Sequence, residues 1–244
     1  VAAYYNEIDP FAAQWLRNLI AAGHIAPGDV DERSIKDVAA EDLRPYVQCH
    51  FFAGIGVWSH ALRLAGWLDD RPVWTGSCPC QPFSSAGARL GTADERHLWP
   101  DWFNLIRQRR PSVIFGEQVE TAINHGWLDL VQTDLESEDY ACGAVGMPAA
   151  GVGAPHNRQR LWFVADTQRE RGRGGQSARQ HAKDVDASGE GARPGGLRGW
   201  DAVERQPRPL VDGNPGRLAH LRAYGNAIVP QVAQALIEAY LSCN

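Results

Sequence analysis

Short apolar runs alternate with helical patterns through the first two-thirds of the chain, and that alternation is the pattern of an α/β domain with a mostly parallel sheet. The run Ala2–Tyr5 leads into Asp9-Pro10, a helix start with proline in its first turn. The helix predicted there carries Trp15, Leu16, Leu19 and Ile20 and stops at Gly23. A second run, Val47–Phe52, is followed by a glycine turn and a helical pattern in Trp58, Leu62 and Leu64 that ends at Gly66. Further strands are predicted at Val73–Thr75, Val113–Phe115, Tyr140–Val145 and Leu161–Ala165, with helices near 98–109 and 125–136 between them and a last helix at Val229–Leu241.

Composition narrows this further. Hydrophobic residues at 44% and charged residues at 22% exclude a fully disordered chain. No uncharged apolar stretch approaches the ~20 residues that span a bilayer. Glu7 and Asp9 arrive too early for a signal segment, and the odd, scattered set of five cysteines is unlike a disulfide framework, so a reducing cytoplasm is expected. The net charge of −5 hides a split: residues 155–225 hold 13 Lys+Arg against 8 Asp+Glu, while the remainder is acidic. Residues 169–216 carry ten glycines and the run Arg169-Glu170-Arg171-Gly172-Arg173, with almost no apolar periodicity. That composition suits either a disordered linker or an irregular basic surface that orders on a polyanion.

Chemistry concentrates at three strand ends. Gly76-Ser77-Cys78-Pro79-Cys80-Gln81-Pro82-Phe83-Ser84 follows a buried strand. Cys80 could be a core filler, and Cys78 with Cys80 could suggest a metal, but zinc needs about four ligands and the chain offers no second cluster. A cysteine placed rigidly in a Pro- and Gly-rich turn suits a nucleophile better. Phe51-Phe52-Ala53-Gly54-Ile55-Gly56 is a strand, a glycine turn and a helix start, which lets backbone approach a ligand closely or simply packs tightly. Glu7, just past the first strand, is either a solvated carboxylate or an acceptor for ribose hydroxyls.

Together these pieces resemble the DNA cytosine-5 methyltransferases over most of the chain outside 167–215. The segment 52–56 is similar to the family's methionine-side cofactor turn, and Pro79-Cys80-Gln81-Pro82-Phe83-Ser84 to its nucleophile loop. Glu117-Gln118-Val119 resembles its Glu-Asn-Val segment, and Gly153-Ala154-Pro155-His156-Asn157-Arg158-Gln159-Arg160 its G-x-P-Q-x-R-x-R. Gly225-Asn226-Ala227-Ile228-Val229-Pro230 resembles its G-N-S-V-x-P. The departures are Cys78 for the first proline, Gln118 for the asparagine and His156 for the glutamine. Order departs as well. Asn6-Glu7-Ile8-Asp9 resembles the ribose-binding segment and Ser34-Ile35 the adenine-contacting one, with Asp29-Val30 as its rival, yet both precede the 52–56 turn that they normally follow.

The resemblance implies a Rossmann-like α/β, S-adenosylmethionine-dependent methyltransferase sheet with transposed strand order. Residues 1–166 plus 217–244 would form the catalytic and cofactor-binding domain, and 167–216 a small irregular target-recognition lobe. It implies Cys80 as the nucleophile, Glu117 as the acid near N3 of a flipped cytosine, Arg160 at O2, and Arg158 bracing the loop or a phosphate. S-adenosylmethionine would meet Phe52, Ala53, Gly54, Ile55, Gly56, Glu7, Ile8, Ile35, Pro79, Asn226 and Ala227. Double-stranded DNA would meet Ser84, Arg89, Arg169, Arg171, Arg173, Arg179 and Arg193. The expected protein is a cytoplasmic, monomeric bacterial or phage enzyme of restriction-modification type, without metal or membrane partner, that reads a site of roughly two to four base pairs. A non-catalytic DNA-binding relative and a Cys-dependent enzyme on free pyrimidine nucleotides are the rival readings.

Overall fold

The computed structural model describes residues 2–79, 98–167, 225 and 227–243. Strand β1 (Ala2–Asn6) is buried on both faces, and the chain leaves it through Glu7 into helix α1 (Pro10–Ala21). Asp9 caps α1, its carboxylate accepting from the Phe11 and Ala12 amides, while Pro10 occupies a position where no amide donor is needed. Beyond α1 runs a short strand, β2 (Gly28–Asp31), then two 3-10 turns at Ile35–Asp37 and Ala40–Leu43. Strand β3 (Tyr46–Phe51), helix α2 (Val57–Leu64) and strand β4 (Val73–Gly76) complete the first part. Helix α3 (Trp99–Arg109), strand β5 (Val113–Val119), helix α4 (Trp127–Ser137), strands β6 (Ala141–Pro148) and β7 (Gln159–Asp166) and helix α5 (Pro230–Ser242) follow.

The seven strands among the described residues join one sheet in the order β2-β1-β3-β4-β5-β7-β6. The pairs from β2 through β5 are parallel; β7 runs antiparallel between β5 and β6. The mostly parallel sheet expected from the alternation is present, with β7 as the reversed strand. Counting β3 as first, β1 as second and β2 as third turns this order into 3-2-1-4-5-7-6, the doubly wound order extended by an inserted reversed strand. Chain order is therefore transposed while spatial order is kept. The winding reverses between β3 and β4, so the crevice outside their carboxyl ends is where such a sheet holds a ligand.

Helices cover both faces. One face packs α3, α4 and the 3-10 turns through Ile35, Leu43, Trp99, Trp102, Leu105 and Trp127. The opposite face packs α2 and α5 through Trp58, Leu62, Val232 and Ile237, and α1 through Leu16 onto Ala3 and Tyr5. Buried tryptophans supply much of the first layer, with Trp99 and Trp102 edge-to-face at 5.6 Å. Among the described residues no helix is long and apolar enough to cross a membrane.

Candidate active site

At the carboxyl end of β1, Glu7 turns toward the 52–56 turn. Its Oε2 accepts from the Gly54 amide at 2.7 Å and its Oε1 from the Asp9 amide at 2.9 Å. The Asn6 carbonyl accepts the Ala53 amide at 3.0 Å, so the two strand ends are tied twice. Burial raises the Glu7 pKa, and the two amide bonds oppose that rise. The turn needs left-handed backbone at Phe52, Gly54 and Gly56, with φ of 52°, 54° and 80°. A side chain on Gly54 would meet nothing within 4 Å, which leaves open space beside the turn. Ile8 is 65% exposed beside it, whereas Ala53 is buried and Phe52 stands edge-on to Trp102. Ile55 and Pro79 are half-buried. Ile35 is 4% exposed within the core layer, so its side chain faces the packed interior; the segment just before it is held by Asn6, whose Nδ2 donates to the Arg33 carbonyl at 2.9 Å.

The other wall is built by β5 and β7, which the antiparallel register aligns so that Glu117 faces Trp162 and Val119 faces Arg160. Glu117 is 7% exposed, and Arg160 Nε lies 2.9 Å from its Oε1. The Ser77 hydroxyl donates to Glu117 while accepting from Trp58 Nε1 at 3.1 Å. Burial nonetheless raises the Glu117 pKa against the pull of Arg160, Ser77 and Arg158. Arg158, at φ 35°, donates through Nη2 to the carbonyls of Gly225 and Ala227, both at 2.8 Å. It thereby ties the start of β7 to the segment leading into α5; burial, and Arg160 nearby, depress its pKa.

The structure brings Glu7, the 52–56 turn, Pro79, Glu117, Arg158, Arg160 and Ala227 to one end of the sheet. Cys80, Ser84, Arg89, Arg169, Arg171, Arg173, Arg179, Arg193 and Asn226, with all of 167–216 but its first residue, lie outside the described residues. Sequence reasoning met Asn6 and Ser77 only inside their segments and Trp58 only as a helical apolar residue; the contacts that give them roles cross the fold. It met Gln118 only as a departure; here its side chain bonds the carbonyl of Cys78. No group of His, Cys, Asp and Glu among the described residues is arranged to hold a metal.

The sheet order and the crevice at its reversal define an α/β methyltransferase fold. Residues 68–188 match the family model of C-5 cytosine-specific DNA methylases. Over that span, just under half of its length, the chain is similar to that family. It is 31% identical over 144 residues to the type II methyltransferase M.AluI of Cellulosimicrobium cellulans, covering 54% of this chain and 28% of that one. It is 29% identical over 101 residues to M.HhaI of Haemophilus parahaemolyticus, covering 40% and 31%. The chain thus spans about a third or less of these curated relatives. A DNMT2 mutant from Spodoptera frugiperda superposes with a TM-score of 0.46 at 17% identity, covering 67% of this chain and 41% of that one.

Proposed function

We propose that this protein transfers a methyl group to carbon 5 of cytosine in duplex DNA. The observation that carries the reading is Glu117, a buried carboxyl held by Arg160 and Ser77 one residue past the β4–β5 pairing, at the end of the sheet where the 52–56 turn also lies. On this reading Cys80, three residues after Ser77, adds as thiolate to carbon 6 of the ring and makes carbon 5 nucleophilic. Charge developing on the ring is met by a proton from Glu117 at N3, and Arg160 contacts O2. After carbon 5 has taken the methyl group it loses its proton, and the bond between sulfur and carbon 6 breaks to release Cys80. A base stacked in a duplex cannot reach this depth, so the cytosine must be flipped out.

S-adenosylmethionine would supply the methyl group. Residues fit for it are Glu7, a carboxylate tied to the Gly54 amide, the left-handed 52–56 turn with open space at Gly54, exposed Ile8 and the Ala227 segment. Arg158 would brace that segment against the base pocket. Pro79, Asn226 and the backbone at Ile35, whose side chain is buried in the core, complete the proposed cofactor set. Ser84, Arg89 and the arginines of 167–216 would meet DNA, mostly at phosphates, so binding should weaken steeply with salt. Residues 1–166 plus 217–244 are the proposed catalytic unit, acting as a monomer.

Base-resolution mapping of DNA from cells producing the chain tests the reaction. Methylated cytosine at a short recurrent site is expected, and Cys80→Ala should abolish it while S-adenosylmethionine still binds. Near-normal turnover in that variant would end the covalent reading. Salt-sensitive duplex binding without any methyl transfer would make the protein a DNA-binding relative instead.

A further inference from the structure

Gln118 sits directly beside the proposed acid, and alternation along β5 sends its side chain to the face opposite Glu117. It is buried, and both ends of its carboxamide are in use. Nε2 donates to the Cys78 carbonyl at 3.2 Å, and Oε1 accepts from the Val119 amide at 2.9 Å. The β4–β5 ladder ends at Gly76 and Gly116, two residues before Cys78 and Gln118. The carboxamide therefore continues the cross-link between the two strands for one further step. That step lies two residues before Cys80. Both partners are also departures from the motifs quoted above, which pair a proline at the first position with an asparagine at the second.

We infer that Gln118 is a positioning residue for Cys80, and that its length and the residue at 78 form one matched pair. The inference rests on the methyltransferase reading. Shortening the side chain by one methylene withdraws about 1.5 Å of reach, more than a bond already at 3.2 Å can lose. A proline at 78 fixes φ and removes an amide, so it aims the carbonyl differently. Each change alone breaks the match, and the two together restore a shorter version of it.

The test uses the full chain with duplex DNA, reading turnover at saturating substrates, S-adenosylmethionine affinity by calorimetry, and adduct formation on DNA carrying 5-fluorocytosine. Q118N and C78P should each lower turnover and adduct rate about tenfold with cofactor affinity unchanged, the scale of one lost buried hydrogen bond. The double variant should return to within about threefold of the parent, the signature of coupled neighbours. Q118N with parental turnover, or a double variant no better than the product of the singles, overturns the inference. Should Q118N fail to fold, Q118M keeps the volume without the donor; loss of turnover supports the pairing and parental turnover overturns it. A parent that forms no adduct overturns the functional reading and this inference together, whereas an active parent with an indifferent Gln118 overturns this inference alone.

Discussion

Burial pushes the Glu117 carboxyl toward its protonated form, and Arg160 at 2.9 Å pulls it back. The balance between them sets two expectations. Glu117→Gln should slow methyl transfer roughly 10²-fold, the ordinary scale of acid catalysis, measured in single turnover. Arg160→Met removes the compensating charge and raises the Glu117 pKa further. A carboxyl whose folded pKa lies above its unfolded one stabilises the fold at low pH, and that contribution is lost as pH rises through the folded value. Arg160→Met should therefore cost about 3 kcal/mol at pH 8 and distinctly less at pH 5, read from urea unfolding. An equal cost at both pH values would deny the coupling. Cys78→Ala keeps the backbone carbonyl that Gln118 grips, so turnover within about threefold of the parent is expected. The roles of Glu117 and Arg160 could be proposed from motif resemblance, but Gln118 could not: its partner is 40 residues away in sequence, and only the folded sheet makes them neighbours.

Elements differ in how plainly the chain announces them. β1, β3, β4, β5 and β7 are apolar runs, α1 carries its Asp9 cap, and the helices carry apolar stripes, so their existence and rough limits were readable. β2 was not. Gly28-Asp29-Val30-Asp31 is an edge strand with two acids and one apolar side chain, and pairing with β1 alone makes it a strand. The reversal of β7 was equally invisible, since direction leaves no trace in apolar content. Its place beside β5 makes a sharp demand on Gly116, where an added Cβ would fall 2.1 Å from the Phe163 ring. Phe163 is buried and cannot swing aside. Gly116→Ala should destabilise the fold by about 1–3 kcal/mol in thermal or urea unfolding, the range for overpacking a core. A neutral result would mean that β5 and β7 sit further apart than described.

Across the whole molecule, spatial order is kept where chain order is not. Parallel strands all start at the same edge of the sheet, so the beginnings of β1, β3 and β4 and the end of α2 lie at that edge. A rearranged chain in which residues 2–45 are inserted after Gly66, between α2 and β4, needs only short new linkers. It should keep S-adenosylmethionine affinity to within about tenfold, since rearrangements at exposed connections are commonly tolerated. Loss of the fold would show that the present connections, and not only the strand neighbours, are required. The native order has a consequence during protein synthesis. The contact of Glu7 with Gly54, and the whole β2-β1-β3 unit around it, is encoded before Gly66. With ribosomes adding about 5–20 residues per second, that unit is complete on the order of ten seconds before the last helix is made. The half of the crevice opposite Glu117 is thus available to fold on the nascent chain, ahead of the strands that complete the other wall.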